Sequence, residues 1–135
     1  MLDSAEHYYL ISIKKYPQGT VARGNMAVVE EKRGNPEKAA AYYKDAMQID
    51  NKDPENYYGL MRVYLGQKKF ADALENGNIA EKYYTERNDP NICDCYYMLC
   101  ITHIMMNNKE KAQHYAWLAQ NKGLQPDPAI IETLK

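Results

Sequence analysis

The sequence predicts an all-α chain built from repeated pairs of helices. Three observations carry that prediction. A pattern of small and aromatic residues recurs at a period of about 34 residues. Asx-Pro pairs stand where helices need to begin. Apolar residues fall three and four apart, which lines one side of a helix. The recurring pattern is clearest at Ala39-x3-Tyr43-x2-Ala46. It appears 34 residues earlier at Ala5-x3-Tyr9-x2-Ser12, and 34 later at Ala73-x3-Gly77-x2-Ala80. A fourth copy, Ala112-x3-Ala116-x2-Ala119, follows after 39.

Each element follows from these signals in order. Helix 2–16 carries the first copy of the pattern. Helix 20–33 fills the space before Asn35-Pro36, which opens helix 36–50. Asp53-Pro54 opens helix 54–67, with Tyr57, Leu60, Met61 and Tyr64 along it. Helix 70–86 carries Ala73, Gly77 and Ala80, and five extra residues within Tyr83–Asp89 lengthen it by about a turn. Asp89-Pro90 opens helix 90–106, whose Tyr96, Leu99, Cys100 and His103 repeat the spacing of Tyr57, Leu60, Met61 and Tyr64. Helix 109–122 carries the fourth copy, and Asp127-Pro128 opens helix 128–134. At each pair the Asx side chain can accept from free first-turn N–H groups, and Pro suits the first helical position.

This arrangement resembles the tetratricopeptide repeat, a helix-turn-helix unit of 34 residues with the pattern W-x2-L-G-x2-Y, then A-x3-F, A and P. The resemblance implies a right-handed α-α superhelix. It divides the single domain 1–135 into a half repeat 1–19, three full repeats 20–53, 54–92 and 93–126, and a C-terminal helix 127–135. Several positions depart from the pattern. Ala27, Met61 and Cys100 replace the usual Gly, Gly77 replaces an aromatic, and Glu30 and His103 replace Tyr. Local packing around Glu30 is the point these departures put in question. The unpaired first helix and the abrupt last one suggest a segment of a longer protein, because a solenoid repeat cannot cover its apolar face alone.

Composition excludes several function classes. The chain has 135 residues, with 17 Lys+Arg against 18 Asp+Glu, so bulk charge gives no reason to expect a nucleic-acid ligand. No apolar run reaches the length of a membrane span. Three cysteines and no basic-then-apolar start point to the cytoplasm. Cys93 and Cys95 point away from each other on a helix, and Cys100 with His103 makes only two ligands, so no metal site is expected. His103 takes a packing position. No catalytic motif, Gly-rich phosphate loop or cofactor signature occurs, so no enzyme is expected.

The resemblance implies that the first helix of each repeat lines a concave groove. Its lining positions fall on Val21, Gly24, Val28, Glu31 and Lys32, then Glu55, Tyr58, Arg62, Leu65 and Gly66, then Asp94, Tyr97, Ile101, Ile104 and Met105. The positions that clamp a chaperone carboxylate in one subgroup are here Gly24, Val28, Gly59, Asp94 and Met98. None supplies the required donor, so an Hsp70/Hsp90-type clamp is not expected. The predicted peptide-binding groove is Val28, Tyr58, Arg62, Leu65, Tyr97, Ile101 and Met105, with Arg62 as its cation. Aromatic and Arg side chains are common interface anchors, and Met adapts to varied partners. The expected function is a non-enzymatic scaffold or adaptor that binds a protein or peptide. The alternatives are homo-oligomerisation through the unpaired ends, or a regulatory segment of a larger enzyme.

Overall fold

The structure, a computed structural model, describes residues 2–135. Among the described residues there are eight α-helices and no strand. They are α1 (Leu2–Lys15), α2 (Val21–Lys32), α3 (Pro36–Ile49), α4 (Pro54–Gly66), α5 (Phe70–Glu86), α6 (Ile92–Met105), α7 (Lys109–Asn121) and α8 (Pro128–Thr133). Each helix from α1 to α7 packs on its neighbour in the chain. α2, α4 and α6 also contact one another in turn, so they form one continuous inner layer. The result is an all-α superhelical repeat. α5 has 17 residues against 14 in α3 and 13 in α7, which is the lengthening expected from the extra residues.

Small residues set the helix approach. Ala39, Ala46, Ala73, Ala80, Ala112 and Ala119 are fully buried at the crossings within pairs. Around them lie Tyr57, Leu60, Met61, Tyr84 and Leu99, all buried. At Gly59 the chain passes so close to the Tyr43 ring that a Cβ there would overlap it. At Gly77 a Cβ would overlap Met61 Sδ and come within 2.8 Å of Leu99 Cδ2. The missing aromatic at Gly77 is therefore replaced from outside: Met61 and Leu99 fill its space.

One turn recurs five times. Asn88 after α5 (φ 50°) and Gly123 after α7 (φ 97°) adopt it, with Asp89 N–H donating to Tyr84 O at 3.0 Å and Leu124 N–H to Ala119 O at 3.1 Å. So do the ends of the three inner helices. Gly34, Lys68 and Asn107 follow α2, α4 and α6 with φ of 78°, 61° and 59°. In each case the next N–H donates back to a carbonyl of the preceding helix: Asn35 to Glu30 at 2.9 Å, Lys69 to Tyr64 at 2.9 Å and Asn108 to His103 at 2.8 Å. This is the left-handed helix stop that closes orphan carbonyls.

The Asx-Pro pairs behave unequally. Asp53 accepts from Glu55 N–H at 3.0 Å and Asp127 from Ala129 N–H at 2.8 Å, as helix caps. Asp89 accepts from Asn91 N–H at 2.9 Å, but α6 begins only at Ile92. Asn35 makes no cap bond. Its amide instead donates to Glu30 Oε2 at 2.8 Å. That bond answers the question raised by Glu30. The carboxylate is buried where the repeat prefers Tyr, and Arg33 Nη1 donates to its other oxygen at 3.1 Å. Arg33 Nη2 also reaches Glu6 at 2.6 Å and Asp3 at 3.0 Å, which ties α1 to the end of α2. The bond from Arg33 holds the Glu6 carboxyl below its usual range.

His103 is buried and stacks on Tyr115 of α7, with ring centroids 5.5 Å apart and planes within 6°. Burial, and then repulsion from Lys111, lower its pKa. The three cysteines are free. Burial raises Cys93 and Cys95 and pushes Cys100 up to about 11, so the thiols stay protonated near neutral pH. Among the described residues no three His, Cys, Asp or Glu side chains gather as a metal site would need. Among them, too, no helix is long and apolar enough to cross a membrane.

Candidate functional site

The inner layer repeats its own positions. Gly24 and Val28 on α2 correspond to Tyr58 and Arg62 on α4, and to Tyr97 and Ile101 on α6. Helical spacing of four puts the members of each pair on one face. Because Gly24 has no side chain and Val28 a short one, the seam between α2 and α4 opens into a cleft of about 330 Å³. Val28, Tyr58 and Arg62 line this cleft together, with Tyr43 of α3 behind them.

Arg62 is locked in place. Its Nε donates to Glu31 Oε2 at 2.8 Å, and its Nη2 to Glu31 Oε1 at 2.9 Å. Tyr43 donates its hydroxyl to Glu31 Oε1 at 2.5 Å and accepts from Arg62 Nη2 at 3.0 Å. The Arg62 guanidinium lies 5.3 Å from the centre of the Tyr58 ring, within cation–π range. Hydrogen bonding to Glu31 raises the pKa of Arg62 and so keeps it charged. Burial, then the bond to Glu31, raises the Tyr43 phenol. Burial also raises Tyr58, with neighbouring Asp94 adding to it. The sequence offers Arg62 as a forked donor for a partner. In the structure Glu31 takes that fork, so Arg62 presents a neutralised, stacked plane.

The remaining predicted groove residues lie elsewhere on the inner face. Leu65 is half-buried and packs against the core around Met61 and Leu99. Tyr97 is half-buried, and its hydroxyl accepts from the N–H of Asp127 at 3.2 Å. Ile101 is half-buried, and Met105 is exposed at the end of α6.

Among the members of the cleft that sequence reasoning missed are Tyr43 and Asn56. Tyr43 enters the sequence pattern only as a repeat position, yet its hydroxyl completes the Arg62–Glu31 unit. Asn56 lines the cleft and is 3% exposed. Its signal lay in the repeat register, since the matching positions hold Ala22 and Cys95.

Acidic groups surround this end of the inner face. Asp53 pairs with Arg87 at 3.3 Å. Glu55 accepts from the Asn91 amide at 3.1 Å. Asp94 is exposed at the start of α6. Neither Glu55 nor Asp94 has a cationic partner within salt-bridge distance among the described residues. A second exposed feature lies on α1, where Tyr8 is 72% and Ile11 50% accessible.

Comparisons with known proteins agree with this architecture. Residues 31–75 match the family described as Tetratricopeptide repeat. No curated protein matches the sequence. Among solved structures, the chain is similar to YrrB, described as a TPR protein with an unusual peptide-binding site. The TM-score is 0.80 at 20% identity, over 93% of this chain and 62% of that one. It is similar to MamA with a TM-score of 0.78 at 20% identity, over 98% of this chain and 72% of that one. It is also similar to the N-terminal domain of stress-induced protein-1 from C. elegans. There the TM-score is 0.72 at 19% identity, over 85% of this chain and 91% of that domain. This chain thus spans less than two thirds of the YrrB chain. Residues 31–75 thus match a tetratricopeptide repeat, and the chain as a whole shares its fold with these repeat structures.

Proposed function

We propose that the chain is a non-enzymatic interaction module that binds an extended segment of another protein along the inner layer of α2, α4 and α6. The observation that carries this reading is the open cleft between α2 and α4, walled by Val28, Tyr58 and Arg62. Its polar wall is fixed before any partner arrives, because Glu31 and Tyr43 already hold Arg62. Little side-chain freedom is then lost on binding, and preorganisation of this kind favours affinity. Leu65, Tyr97, Ile101 and Met105 would extend the contact surface along the same face. The likeness to YrrB, a TPR protein with an unusual peptide-binding site, supports the class of ligand.

The test is a titration of the purified protein with peptides selected from a random library, read by calorimetry. Tyr58→Ala and Val28→Lys are expected to weaken binding at least tenfold. Trp117→Ala, on exposed α7 away from the inner layer, should leave it unchanged. Equal loss in all three variants would sink the assignment to this face.

A second reading, self-association, is favoured by the exposed Tyr8 and Ile11 on α1, an apolar patch that stays exposed among the described residues while α1 packs on α2.

A further inference from the structure

Asn56 is at odds with its surroundings. Its side chain is buried, and its Nδ2 finds no acceptor among the described residues. Buried polar groups are nearly always paired, so such an orphan calls for an explanation. The repeat shows what packing alone selects at this position: Ala22 in the preceding unit and Cys95 in the following one, both small and both buried. Asn56 is the polar exception, and it is the one that borders the cleft.

The amide stands in the cleft wall, with its Nδ2 shut off from solvent until the side chain turns toward the cleft. Gly24 faces it across the seam, and a Cβ on Gly24 would sit 3.6 Å from Asn56 Oδ1. The absence of that Cβ leaves the side chain room to turn and meet a ligand. A main-chain carbonyl is the acceptor Nδ2 lacks, and a main-chain N–H is a donor suited to Oδ1. An extended peptide supplies both.

Charge narrows the peptide further. The cation of the cleft, Arg62, is already neutralised by Glu31. Glu55 lines the cleft without a cationic partner, and Asp94 lies beyond it, close enough to raise the Tyr58 phenol. The Tyr58 ring stands beside these carboxylates, one face already stacked on Arg62 and its remaining surface bordering the cleft. Carboxylates beside an aromatic ring attract a cation on a long side chain.

Resting on the peptide-binding reading above, we infer that the cleft between α2 and α4 takes an extended peptide segment bearing a Lys or Arg side chain. Asn56 holds the peptide main chain, and Glu55 and Tyr58 receive the cation.

The experiment is selection from a displayed random dodecapeptide library, followed by calorimetry with the synthetic winners. Enriched sequences should share one Lys or Arg, and replacing it with Ala should weaken binding at least tenfold. Asn56→Ala should weaken binding tenfold or more while its Tm stays level or rises, since the orphan amide is gone. Gly24→Leu, which fills the cleft from a half-buried position, should weaken binding as much. Glu55→Gln should weaken binding several-fold and flatten its salt dependence. Tight peptides with no shared basic residue would overturn the inference and leave peptide binding intact. So would undiminished affinity in Asn56→Ala. A library that yields no binder would remove both.

Discussion

Gly77 stands where the repeat usually has an aromatic ring, and Met61 explains why none is present. The first full repeat pairs small Ala27 with large Tyr43 at these two positions, whereas the second pairs large Met61 with Gly77. The bulky side chain changes helices. Cores tolerate such exchanges and resist added volume on top of them. Gly77→Ala should therefore destabilise the protein by about 1–3 kcal/mol, because its methyl overlaps Met61 Sδ and crowds Leu99. In a Met61→Ala background the same change should no longer destabilise, since Ala also favours helix over Gly by about 0.5–1 kcal/mol. Urea denaturation of the four proteins in that cycle measures the coupling. Neither half of this exchange is legible alone in the sequence. Gly77 and Met61 each look like a departure until the structure brings them into contact.

Pairs of helices are where the sequence is most legible. Helix starts follow from Asx-Pro pairs and the 34-residue period, both of them local signals. The exceptions are instructive. Asn35 leaves its cap because Glu30, five residues earlier in the chain, is a buried carboxylate with an oxygen to satisfy. A buried charge outweighs a cap bond, and no local pattern announces that competition. The α6–α7 pair carries a pH dependence for a related reason. His103 lies against Tyr115 and near Lys111, and its folded pKa is lowered from 6.5. The unfolded chain then takes up a proton more readily than the folded one. Stability contributed by neutral His103 is complete above about pH 6.5 and declines as pH falls from there toward the lowered folded pKa. Thermal unfolding should show a falling Tm between about pH 7 and 5.5 that His103→Tyr removes. Tyr is what the preceding repeat holds at this place, as Tyr64. An unchanged slope in that variant would assign the effect to other groups.

Across the whole molecule, the repeat register made the inner layer legible but not its chemistry. It put Val28, Tyr58 and Arg62 on one face, and the three do share a cleft. It could not reveal that Glu31 and Tyr43 consume the donors of Arg62, because those contacts join residues of three different helices. Asn56 escapes because the lining positions of the repeat pass over it, from Glu55 to Tyr58. Self-association is also a property of the assembled array. If exposed Tyr8 and Ile11 mediate it, light scattering should show mass rising with protein concentration, and Ile11→Glu should return the protein to a constant monomer mass. A constant monomer mass in the unmodified protein would eliminate that reading. The clasp of Arg33 on Asp3 and Glu6 has a consequence at this scale as well. The first helix is fastened at its outer edge by ions that water can reach, while the deeper pairs are fastened by buried alanines and aromatic rings. Added salt screens the former and barely touches the latter. The array should therefore peel from its leading end as ionic strength rises, with the cleft still standing behind it.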